Sequence, residues 1–416
     1  MGKILVLLTG EFPYGKSEAF LESELNYLNV FDKIYLCPLF ASGIANQKVR
    51  YDKNKTNIKV LPSRKPLSVL DKLHGVLISV CNKNFWKEVI KVFLKSTKKL
   101  SSLRYLISFS WTGNCVARYT IRLIRDLIDD YDEIVLYSYW LHQQAYVAAY
   151  LKGKLPKVLK AVSRCHRFDV YEYLNYEYIP YRDYLLKRLD DIYCISEDSM
   201  RYLNIKYPKY SQKYKIARLG TKSYKLHKYK PNPDLLRVVS CSNCVPVKRI
   251  DLIIKTLTIF EDNEISVEWI HYGDGVLFEK LKNEAADNLK KYVHFEFKGY
   301  VSNHTILDDY SRNDFDVFVN VSSSEGIPVS IMEAMSFGIP TIATDVGGTS
   351  ELVKNGINGL LLHADFLVTD LYNAINSIRE MPSSEYLNLR IQARSMWEEK
   401  FSAKNNYNMF AEQLLE

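Results

Sequence analysis

Short apolar runs alternate with helix-like stretches along almost the whole chain, and this alternation constrains the fold more than any other feature. Runs of about four to eight apolar residues are typical of buried strands, and strands separated by helix-length segments favour parallel sheets. Strand-like runs occur at residues 4–8, 33–39, 133–139, 158–163, 191–195, 235–241, 266–272, 293–298, 316–321, 341–344 and 359–362. Helix-like stretches, such as 18–28 and 199–205, lie between them. The predicted fold class is therefore α/β, with doubly wound, Rossmann-like sheets.

A polar, basic stretch divides these runs into two sets. Residues 222–233 read KSYKLHKYKPNP, and the two prolines at the end are typical of a linker. A chain of 416 residues is also too long for one ordinary core. We predict an N-terminal domain over 1–222, a C-terminal domain over 223–395, and a last helix over 396–416 that returns to the first domain. Because such sheets bind ligands beyond the carboxyl ends of their strands, two facing halves predict a cleft.

The composition excludes several classes of protein. Hydrophobic residues make up 47% of the chain and charged residues 25%, which is typical of a folded globular protein. No stretch approaches the roughly 18 uncharged apolar residues of a membrane span, and only five apolar residues follow Lys3, so no signal peptide is predicted. The seven scattered cysteines are typical of reduced thiols. We expect a cytoplasmic protein without a nucleic-acid partner.

Positive charge is concentrated in residues 64–104. This segment has ten Lys and Arg residues against two acidic ones, so its net charge of +8 equals that of the whole chain. At about 100° per residue, one face of a helix would carry Trp86, Val89, Ile90, Phe93 and Leu94. An adjoining stripe would carry Lys87, Lys91, Lys95 and Lys98. The pattern suits an interfacial helix on an anionic membrane surface; a core-facing helix with solvated lysines explains it equally well.

A candidate phosphate site follows the ninth strand-like run. Three serines and Glu325-Gly326 come next, and a predicted helix then begins at Pro328 and ends before Gly338. Its N-terminus lies at the carboxyl end of a strand, where free N–H groups and the helix dipole favour a phosphate. Glu333 lies about 8 Å further along the helix axis, where its carboxylate would accept hydrogen bonds from two ribose hydroxyls. A tight turn at Gly347-Gly348 would add further backbone donors.

The sequence around this site resembles a known family. Glu325 and Glu333 form E-x7-E, within the frame EG-x-P-x-S-x-x-EAM-x-x-G-x-P-x-I-A-T-D-V-GG-x-x-E. This frame closely resembles glycosyltransferase family 4, whose members are retaining sugar-nucleotide transferases of the two-domain GT-B fold. HYGDG (271–275), FKGYVS (297–302) and VPVKRIDLIIKTL (245–257) resemble further family motifs, and SRCHRFDVYE (163–172) and YSYW (137–140) resemble bacterial exopolysaccharide members. The resemblance is strong over about 230–365 and looser over 1–220.

The resemblance implies a reaction and a location. A hexose would pass from a UDP- or GDP-linked donor to a hydroxyl of a polyprenyl-diphosphate-linked acceptor, with retention of configuration and without a metal ion or cofactor. The setting would be capsule or exopolysaccharide synthesis at the inner face of the plasma membrane. A sugar-nucleotide epimerase of the same fold is the enzymatic alternative, although E-x7-E disfavours it.

The resemblance also assigns roles to individual residues. Lys248 would stabilise the departing diphosphate, Glu325 would contact the donor sugar, and His166 would lie near the transferred sugar. The donor-binding residues would be Glu333, Gly273, Tyr300, Val301, Gly326, Ile327, Pro328, Val329, Asn243 and Arg249. The family usually has an arginine at the position of Asn243, and Arg249 is a candidate replacement. The acceptor side would include Gly15, Lys16, Glu18, Trp140, Arg164 and Asp169, although Arg164 and Asp169 could equally pair with each other.

Two short motifs point to other chemistry. GEFPYGKS, at residues 10–17, fits the phosphate-loop pattern of ATPases. Pro13 lacks an N–H and Glu11 would repel phosphate, so the match is interpreted as accidental and the loop as part of the acceptor wall. Asp314-Phe315-Asp316 is a D-x-D, typical of metal-dependent glycosyltransferases of another fold. Because Asp316 enters a buried-looking run, no catalytic metal is predicted.

Overall fold

The chain folds into two compact units. The computed structural model describes residues 2–52, 54–64, 66, 68–127, 133–155, 157–224 and 229–416. Unit 1 comprises Met1–Leu219 and Lys404–Glu416, and unit 2 comprises Gly220–Ala403. Lys65 of the basic segment, the side chain of Lys95, and residues 225–228 of the predicted linker lie outside the described part.

Unit 1 is built on a parallel sheet of seven strands in the order β3-β2-β1-β4-β5-β6-β7. The strands are β1 (Lys3–Thr9), β2 (Lys33–Pro38), β3 (Ile58–Val60), β4 (Glu133–Ser138), β5 (Val158–Cys165), β6 (Asp191–Cys194) and β7 (Tyr214–Ile216). The five predicted runs of this half are confirmed as strands. The two edge strands β3 and β7 were not predicted, because each has only three residues and no apolar run. Buried apolar clusters cover both faces of the sheet.

Eight helices precede the second sheet in the described part of the chain. They are α1 (Phe20–Glu24), α2 (Val69–Val80), α3 (Lys83–Lys95), α4 (Lys99–Arg125), α5 (Gln143–Lys152), α6 (Arg167–Val170), α7 (Arg182–Arg188) and α8 (Glu197–Lys206). The helix predicted at 18–28 is shorter, since α1 continues as a 3₁₀ helix over Leu25–Tyr27.

Helices α2 and α3 leave apolar side chains exposed. On α3, Phe85 and Val92 are buried, whereas Trp86, Ile90, Phe93 and Leu94 are 50, 58, 53 and 78% exposed. Of the five residues of the predicted apolar face, Val89 alone packs against the core, so the interpretation that the face as a whole packs into the core is wrong. Helix α2 adds Val69, Leu70, Leu73 and Leu77, which are 57 to 77% exposed. We call these eight residues the apolar surface of α2 and α3. None of the helices in the described ranges is long and apolar enough to cross a membrane.

Unit 2 is built on a parallel sheet of six strands in the order β10-β9-β8-β11-β12-β13. All six predicted runs are confirmed as β8 (Leu236–Cys241), β9 (Val267–Tyr272), β10 (Val293–Gly299), β11 (Val317–Asn320), β12 (Thr341–Thr344) and β13 (Gly359–Leu362). The helices are α9 (Ile250–Asp262), α10 (Phe278–Asn288), α11 (Asn303–Arg312), α12 (Val329–Ser336), α13 (Thr349–Leu352), α14 (Val368–Arg379) and α15 (Ser383–Lys400). The last helix, α16 (Ala403–Gln413), belongs to unit 1 from Lys404 onward, and within that unit its Phe410 packs against Tyr137 and Tyr193.

In each sheet the strand order reverses beside the first strand of the unit. β1 lies next to β4 in unit 1, and β8 lies next to β11 in unit 2. The loops that follow such neighbouring strands diverge to opposite faces and leave a crevice at the carboxyl edge, where doubly wound folds bind ligands. We therefore expect the functional residues in the loops after β1, β4, β8 and β11.

Candidate functional site

The loops after β8 and β11 bring Lys248 and Glu325 together. The Lys248 ammonium lies 2.5 Å from Oε1 of Glu325, and both side chains are largely but not completely buried. The amide of Asn320, the last residue of β11, donates to the same oxygen at 3.4 Å. Lys248 and Glu325 were each predicted as site residues, whereas their pairing and the contact of Asn320, which lies outside the motif, were not predicted. The pair forms one cation and one carboxylate at the carboxyl edge of the sheet.

Backbone contacts hold these two loops in place. The N–H of Ser323 donates to the Val247 carbonyl at 2.8 Å, beside the 3₁₀ helix Pro246–Lys248. The guanidinium of Arg249 donates to the carbonyl of Val321 at 2.7 Å, and its other groups bind Ser322, Thr344 and Ala364. Arg249 was predicted as a donor-binding cation, but its donors face the protein's own oxygens. Its role in this geometry is to position the loop that carries Glu325.

The glycine pair at Gly347-Gly348 supports the loop from the other side. The N–H of Gly348 donates to the Gly326 carbonyl at 2.7 Å, so this backbone donor is not directed at a ligand as predicted. Gly347 has a φ of 57°, and a Cβ there would lie 2.1 Å from the carbonyl oxygen of Glu325. A side chain cannot fit, which explains the glycine at this position.

Helix α12 begins directly after this loop with an open N-terminus. Its N-cap is Pro328, which forms no side-chain hydrogen bond to the first turn, while Ile327 is buried beneath. The first N–H groups of a helix have no partner within the helix and carry its positive dipole end. Gly326, Pro328 and Val329 therefore lie where the sequence predicted a diphosphate.

Glu333 lies one turn further along α12, where it receives one hydrogen bond. The amide of Asn303, the first residue of α11, donates to its Oε1 at 2.6 Å. Burial raises the pKa of Glu333 to about 7, and the Asn303 hydrogen bond opposes this shift. Asn303 was not predicted, because it lies 30 residues away in sequence and in no motif. A partly buried carboxylate of this kind gains from any ligand that donates hydroxyl groups to it.

The remaining predicted donor residues differ in their surroundings. Asn243 and Tyr300 are exposed, and Val301 is partly buried. Gly273 has a φ of 140°, and a Cβ there would lie 1.8 Å from the Ser242 carbonyl oxygen. Gly273 thus has a packing reason for being glycine, and its contact with a donor stays a prediction.

In unit 1, the loop after β1 is closed around a carboxylate of its own. Oε1 of Glu18 accepts hydrogen bonds from the Gly10 N–H and the Trp140 indole, both at 2.7 Å. Oε2 accepts from the N–H groups of Glu11 and Phe12 at 2.9 and 2.8 Å. The consecutive N–H groups that would bind phosphate in an ATPase loop are therefore filled by the protein itself. Glu18, predicted to contact substrate, positions this loop instead.

The tip of the same loop contains Gly15 and Lys16. Gly15 has a φ of 63°, and a Cβ there would lie 2.7 Å from a carboxylate oxygen of Glu11. Its N–H donates to Gln47 at 3.2 Å, and Lys16 is exposed. These local contacts explain the glycine, while the predicted approach of an acceptor stays a prediction.

His166 presents an unpartnered nitrogen after β5. Its ring lies between Tyr139 and Trp140, with centroid distances of 4.6 and 4.7 Å. Burial, followed by the positive charge of Arg164, lowers the pKa of His166 to about 3, so the ring is neutral at pH 7. Within the described residues, its buried Nε2 has no hydrogen-bond partner. Such an atom suits a hydroxyl group of a ligand.

Arg164 and Asp169 are fully buried and serve the protein rather than the site. Arg164 pairs with Glu24 at 2.5 Å, so the predicted pair with Asp169 is not formed. The carboxylate of Asp169 accepts from the backbone N–H groups of His166 and Leu141 at 2.6 and 2.7 Å. It thereby fixes the loops after β4 and β5 that carry Trp140 and His166. Direct contact of either residue with an acceptor is not supported.

The D-x-D motif lies at the opposite end of its strand. Asp314 accepts from the Lys230 N–H at 3.0 Å, and Asp316 accepts from the Arg237 N–H at 2.6 Å and from Tyr229. Both carboxylates are engaged before β11 begins, away from the carboxyl edge. In the part of the chain that the structure describes, no group of three or more His, Cys, Asp or Glu is arranged to hold a metal ion.

Sequence comparisons find similarity between unit 2 and sugar transferases. Residues 225–396 match the family described as glycosyl transferases group 1. A stretch of 123 residues is 32% identical to a poly(ribitol-phosphate) alpha-N-acetylglucosaminyltransferase of Staphylococcus aureus, covering 29% of this chain and 24% of that protein. Another of 141 residues is 33% identical to the UDP-Gal:alpha-D-GlcNAc-diphosphoundecaprenol alpha-1,3-galactosyltransferase of Escherichia coli, covering 32% of each. The matches thus span about a quarter to a third of these curated relatives.

Solved structures resemble the whole chain. HepE from Anabaena in complex with UDP and glucose has a TM-score of 0.63 at 17% identity, covering 100% of both chains. The lipopolysaccharide outer core galactosyltransferase WaaB in its apo form has a TM-score of 0.66 at 15% identity, covering 99% of both. The chain therefore has the α/β GT-B fold, and its residues 225–396 carry the sequence pattern of the group 1 glycosyl transferases.

Proposed function

We propose that this chain is a retaining glycosyltransferase. It transfers a hexose from a UDP- or GDP-linked donor to a hydroxyl of a lipid-linked acceptor in the synthesis of a surface polysaccharide. One observation carries the proposal: Lys248 and Glu325 are paired at 2.5 Å beside the uncapped N-terminus of α12, inside the region that matches the family. The E. coli relative, whose name includes a diphosphoundecaprenol-linked acceptor, supports the acceptor class.

The residues of unit 2 suit departure of a nucleoside diphosphate. The N–H groups of the first turn of α12 would bind the diphosphate, and Glu333 would accept from the ribose hydroxyls. In this structure the charge of Lys248 is balanced by Glu325. With a donor bound, Lys248 would donate to the diphosphate instead and stabilise the negative charge that develops as the glycosidic bond breaks. Glu325 would then face the positively charged sugar. No step in this scheme uses a metal ion.

The residues of unit 1 suit a sugar hydroxyl. His166 is neutral, buried between two aromatic rings, and its Nε2 has no partner in the described part of the chain. A hydroxyl of the acceptor or of the transferred sugar would satisfy it. Asp169 and Glu18 would act indirectly, by fixing the loops on which His166 and Trp140 lie.

The apolar surface of α2 and α3 supports contact with a membrane. Its eight side chains are at least half exposed, and α3 also carries lysines. Insertion of apolar side chains combined with lysines near anionic lipid is the pattern of peripheral membrane helices. In vesicle flotation, Ile90→Asn with Leu94→Asn should abolish binding to anionic vesicles. The matched control is Val276→Asn with Ile391→Asn, which are 85 and 60% exposed in unit 2. Equal binding by both double variants would remove the membrane proposal.

The donor half is tested with a panel of sugar nucleotides and a chelator. Thermal stabilisation should single out one nucleotide, and incubation with a lipid-linked acceptor should release the nucleoside diphosphate. The anomeric configuration of the product, measured by NMR, decides between retention and inversion. Conversion of a donor into another sugar nucleotide without acceptor would indicate an epimerase instead. Activity that disappears with the chelator would contradict the metal-free scheme.

A further inference from the structure

A lysine-rich pocket lies in unit 1 beside α3, and none of its lining residues belongs to the candidate donor or acceptor residues. The pocket has a volume of about 580 Å³, which is within the usual range of small-ligand sites. Its walls come from α3, from α7 and the residue before it, and from the end of α8 and the segment that follows. Five lysines line it: Lys87, Lys91, Lys187, Lys206 and Lys209. Two carboxylates, Glu88 and Asp183, also line it, and Glu172, outside the lining, pairs with Lys206 at 3.2 Å. The five lysines therefore exceed these three carboxylates by two positive charges.

Part of this charge is not compensated within the protein. Lys209 pairs with Asp183 at 2.7 Å. Glu88 is buried, accepts from the Tyr178 hydroxyl at 2.6 Å and from the Tyr181 N–H at 3.2 Å, and lies 3.8 Å from the Lys91 ammonium.

The two remaining lysines of interest are Lys87 and Lys187. Both are exposed and form no ion pair within the described residues. They lie on different helices, α3 and α7, and both border the same cavity. Two ammonium groups that border one cavity, each without an ion pair in the described part of the chain, suit a multiply charged anion such as a phosphoryl group.

Helix α3 connects the pocket to the apolar surface. Asn84, Lys87, Glu88 and Lys91 face the pocket, and at 100° per residue they form one stripe of the helix. Lys87 is next on the helical wheel to Leu94, which is 78% exposed. A ligand whose charged head enters the pocket would therefore have its apolar part on the exposed side of the same helix. A lipid has this combination, whereas a nucleotide or an acidic peptide does not.

We propose that this pocket binds the phosphoryl headgroup of a membrane lipid whose hydrocarbon chains lie along the apolar surface of α2 and α3. The inference rests on the membrane contact proposed above but not on sugar transfer, since no residue of the pocket belongs to the candidate donor site. A phosphate monoester and a prenyl diphosphate share the required chemistry, and the experiment separates them.

The test is vesicle binding by Lys87→Ala with Lys187→Ala. One lysine near an anionic surface strengthens membrane binding about fivefold. Loss of both lysines should therefore lower the affinity for vesicles of phosphatidylcholine with phosphatidic acid by about 25-fold. On vesicles of equal charge made with phosphatidylglycerol, which lacks an exposed monoester, the drop should be smaller. Lys280→Ala with Lys282→Ala, two exposed lysines of unit 2, should change neither. An equal drop on both kinds of vesicle, or no drop, overturns the proposal.

Competition identifies the source of the phosphoryl group. Farnesyl diphosphate in detergent should displace the wild-type protein from phosphatidic acid vesicles if the pocket accepts prenyl diphosphates, and its failure would assign the pocket to phospholipid. Displacement by inorganic pyrophosphate alone, at the same concentration as farnesyl diphosphate, would overturn the lipid assignment. Sugar-nucleotide affinity, measured separately, should be unchanged in the double alanine variant. Failure of the wild type to bind any sugar nucleotide would remove the proposed function but leave the vesicle result standing.

Discussion

Two loops of this protein each follow a parallel strand but differ in whether a side chain of the protein occupies their backbone N–H donors. The loop after β1 matches the phosphate-loop pattern, yet its N–H groups are occupied by the carboxylate of Glu18. The loop after β11 has no such pattern, yet it leads into a helix whose N-terminus has no side-chain cap. Both loops present backbone donors at the carboxyl edge of a parallel sheet. The difference is whether a carboxylate of the protein accepts from the backbone donors. We call the loop after β1 the closed loop, because Glu18 occupies its donors, and the loop after β11 the open loop.

The largest effect is expected in the open loop. Lys248→Ala and Glu325→Gln should each lower turnover by at least about 100-fold, because each removes charge stabilisation of the departing diphosphate or of the sugar. Initial rates at saturating donor measure this. Lys255→Ala is a suitable control, since that lysine forms an exposed pair with Asp251 on the following helix. Near-normal turnover in either site variant would refute the assignment of that residue.

In the closed loop, loss of Glu18 is expected to lower the free energy of unfolding. Glu18→Ala leaves three backbone N–H groups and the Trp140 indole without their acceptor, and loss of hydrogen bonds to a charged group predicts a decrease of about 2 kcal/mol or more in the free energy of unfolding. Urea denaturation measures it. Glu22→Ala removes a half-exposed carboxylate four residues away and should cost less than about 1 kcal/mol. If the two variants are equally stable, the closed loop does not depend on its internal anion.

Binding in the open loop should depend on pH through Glu333. Its pKa is about 7, and ribose hydroxyls donate to the ionised form, so the affinity for a sugar nucleotide should weaken about tenfold as the pH falls from about 8 to about 6. Isothermal titration at both pH values measures this. Glu333→Gln cannot ionise, so its affinity should vary little over the same range. A wild-type affinity that is constant over this range would show that the hydroxyls do not bind this carboxylate.

The same raised pKa has a consequence for stability, with the opposite sign. Between pH 4.5 and about 7 the folded protein holds a proton on Glu333 that the unfolded chain releases. The unfolded state therefore binds fewer protons, and the free energy of unfolding should fall as the pH rises through this window. Denaturation of wild type and Glu333→Gln at both ends of the window isolates this contribution.

The loops also show what could be predicted from sequence. Eleven strand runs were recognised because buried parallel strands are apolar throughout, and the E-x7-E frame located Glu325 and Glu333. The direction in which a polar side chain points is a different matter. Glu18 lies in a loop, Arg164 near the end of β5 and Asp169 in the short helix α6. At each of these places a ligand contact and a contact within the protein have the same sequence pattern. Burial and the positions of neighbouring N–H groups decide between them, and these depend on the fold.

Two amide residues outside the motifs were missed for a related reason. Asn303 is brought to Glu333 by the position of α11, and Asn320 is brought to Glu325 by the end of β11. Neither belongs to a motif, since an amide is a common residue at helix and strand ends. Arg249 was misassigned because its neighbour Lys248 faces the site, whereas its own side chain turns toward the carbonyls of the loop.

The smallest effect concerns the number of cations in the open loop. Of positions 243, 248 and 249, only Lys248 presents its charge to Glu325, because Asn243 is neutral and Arg249 is engaged elsewhere. Asn243→Arg should add a second cation and tighten nucleoside diphosphate binding by about fivefold, or about 1 kcal/mol.

Titration of UDP or GDP into this variant and into Asn243→Gln, a neutral control of similar polarity, measures the effect of charge alone. Combining Asn243→Arg with Lys248→Ala should restore part of the affinity that Lys248→Ala loses. If the arginine improves neither background, the uncapped helix N-terminus and one lysine already balance the diphosphate charge. The contrast with the closed loop would then rest on backbone donors rather than on side-chain cations.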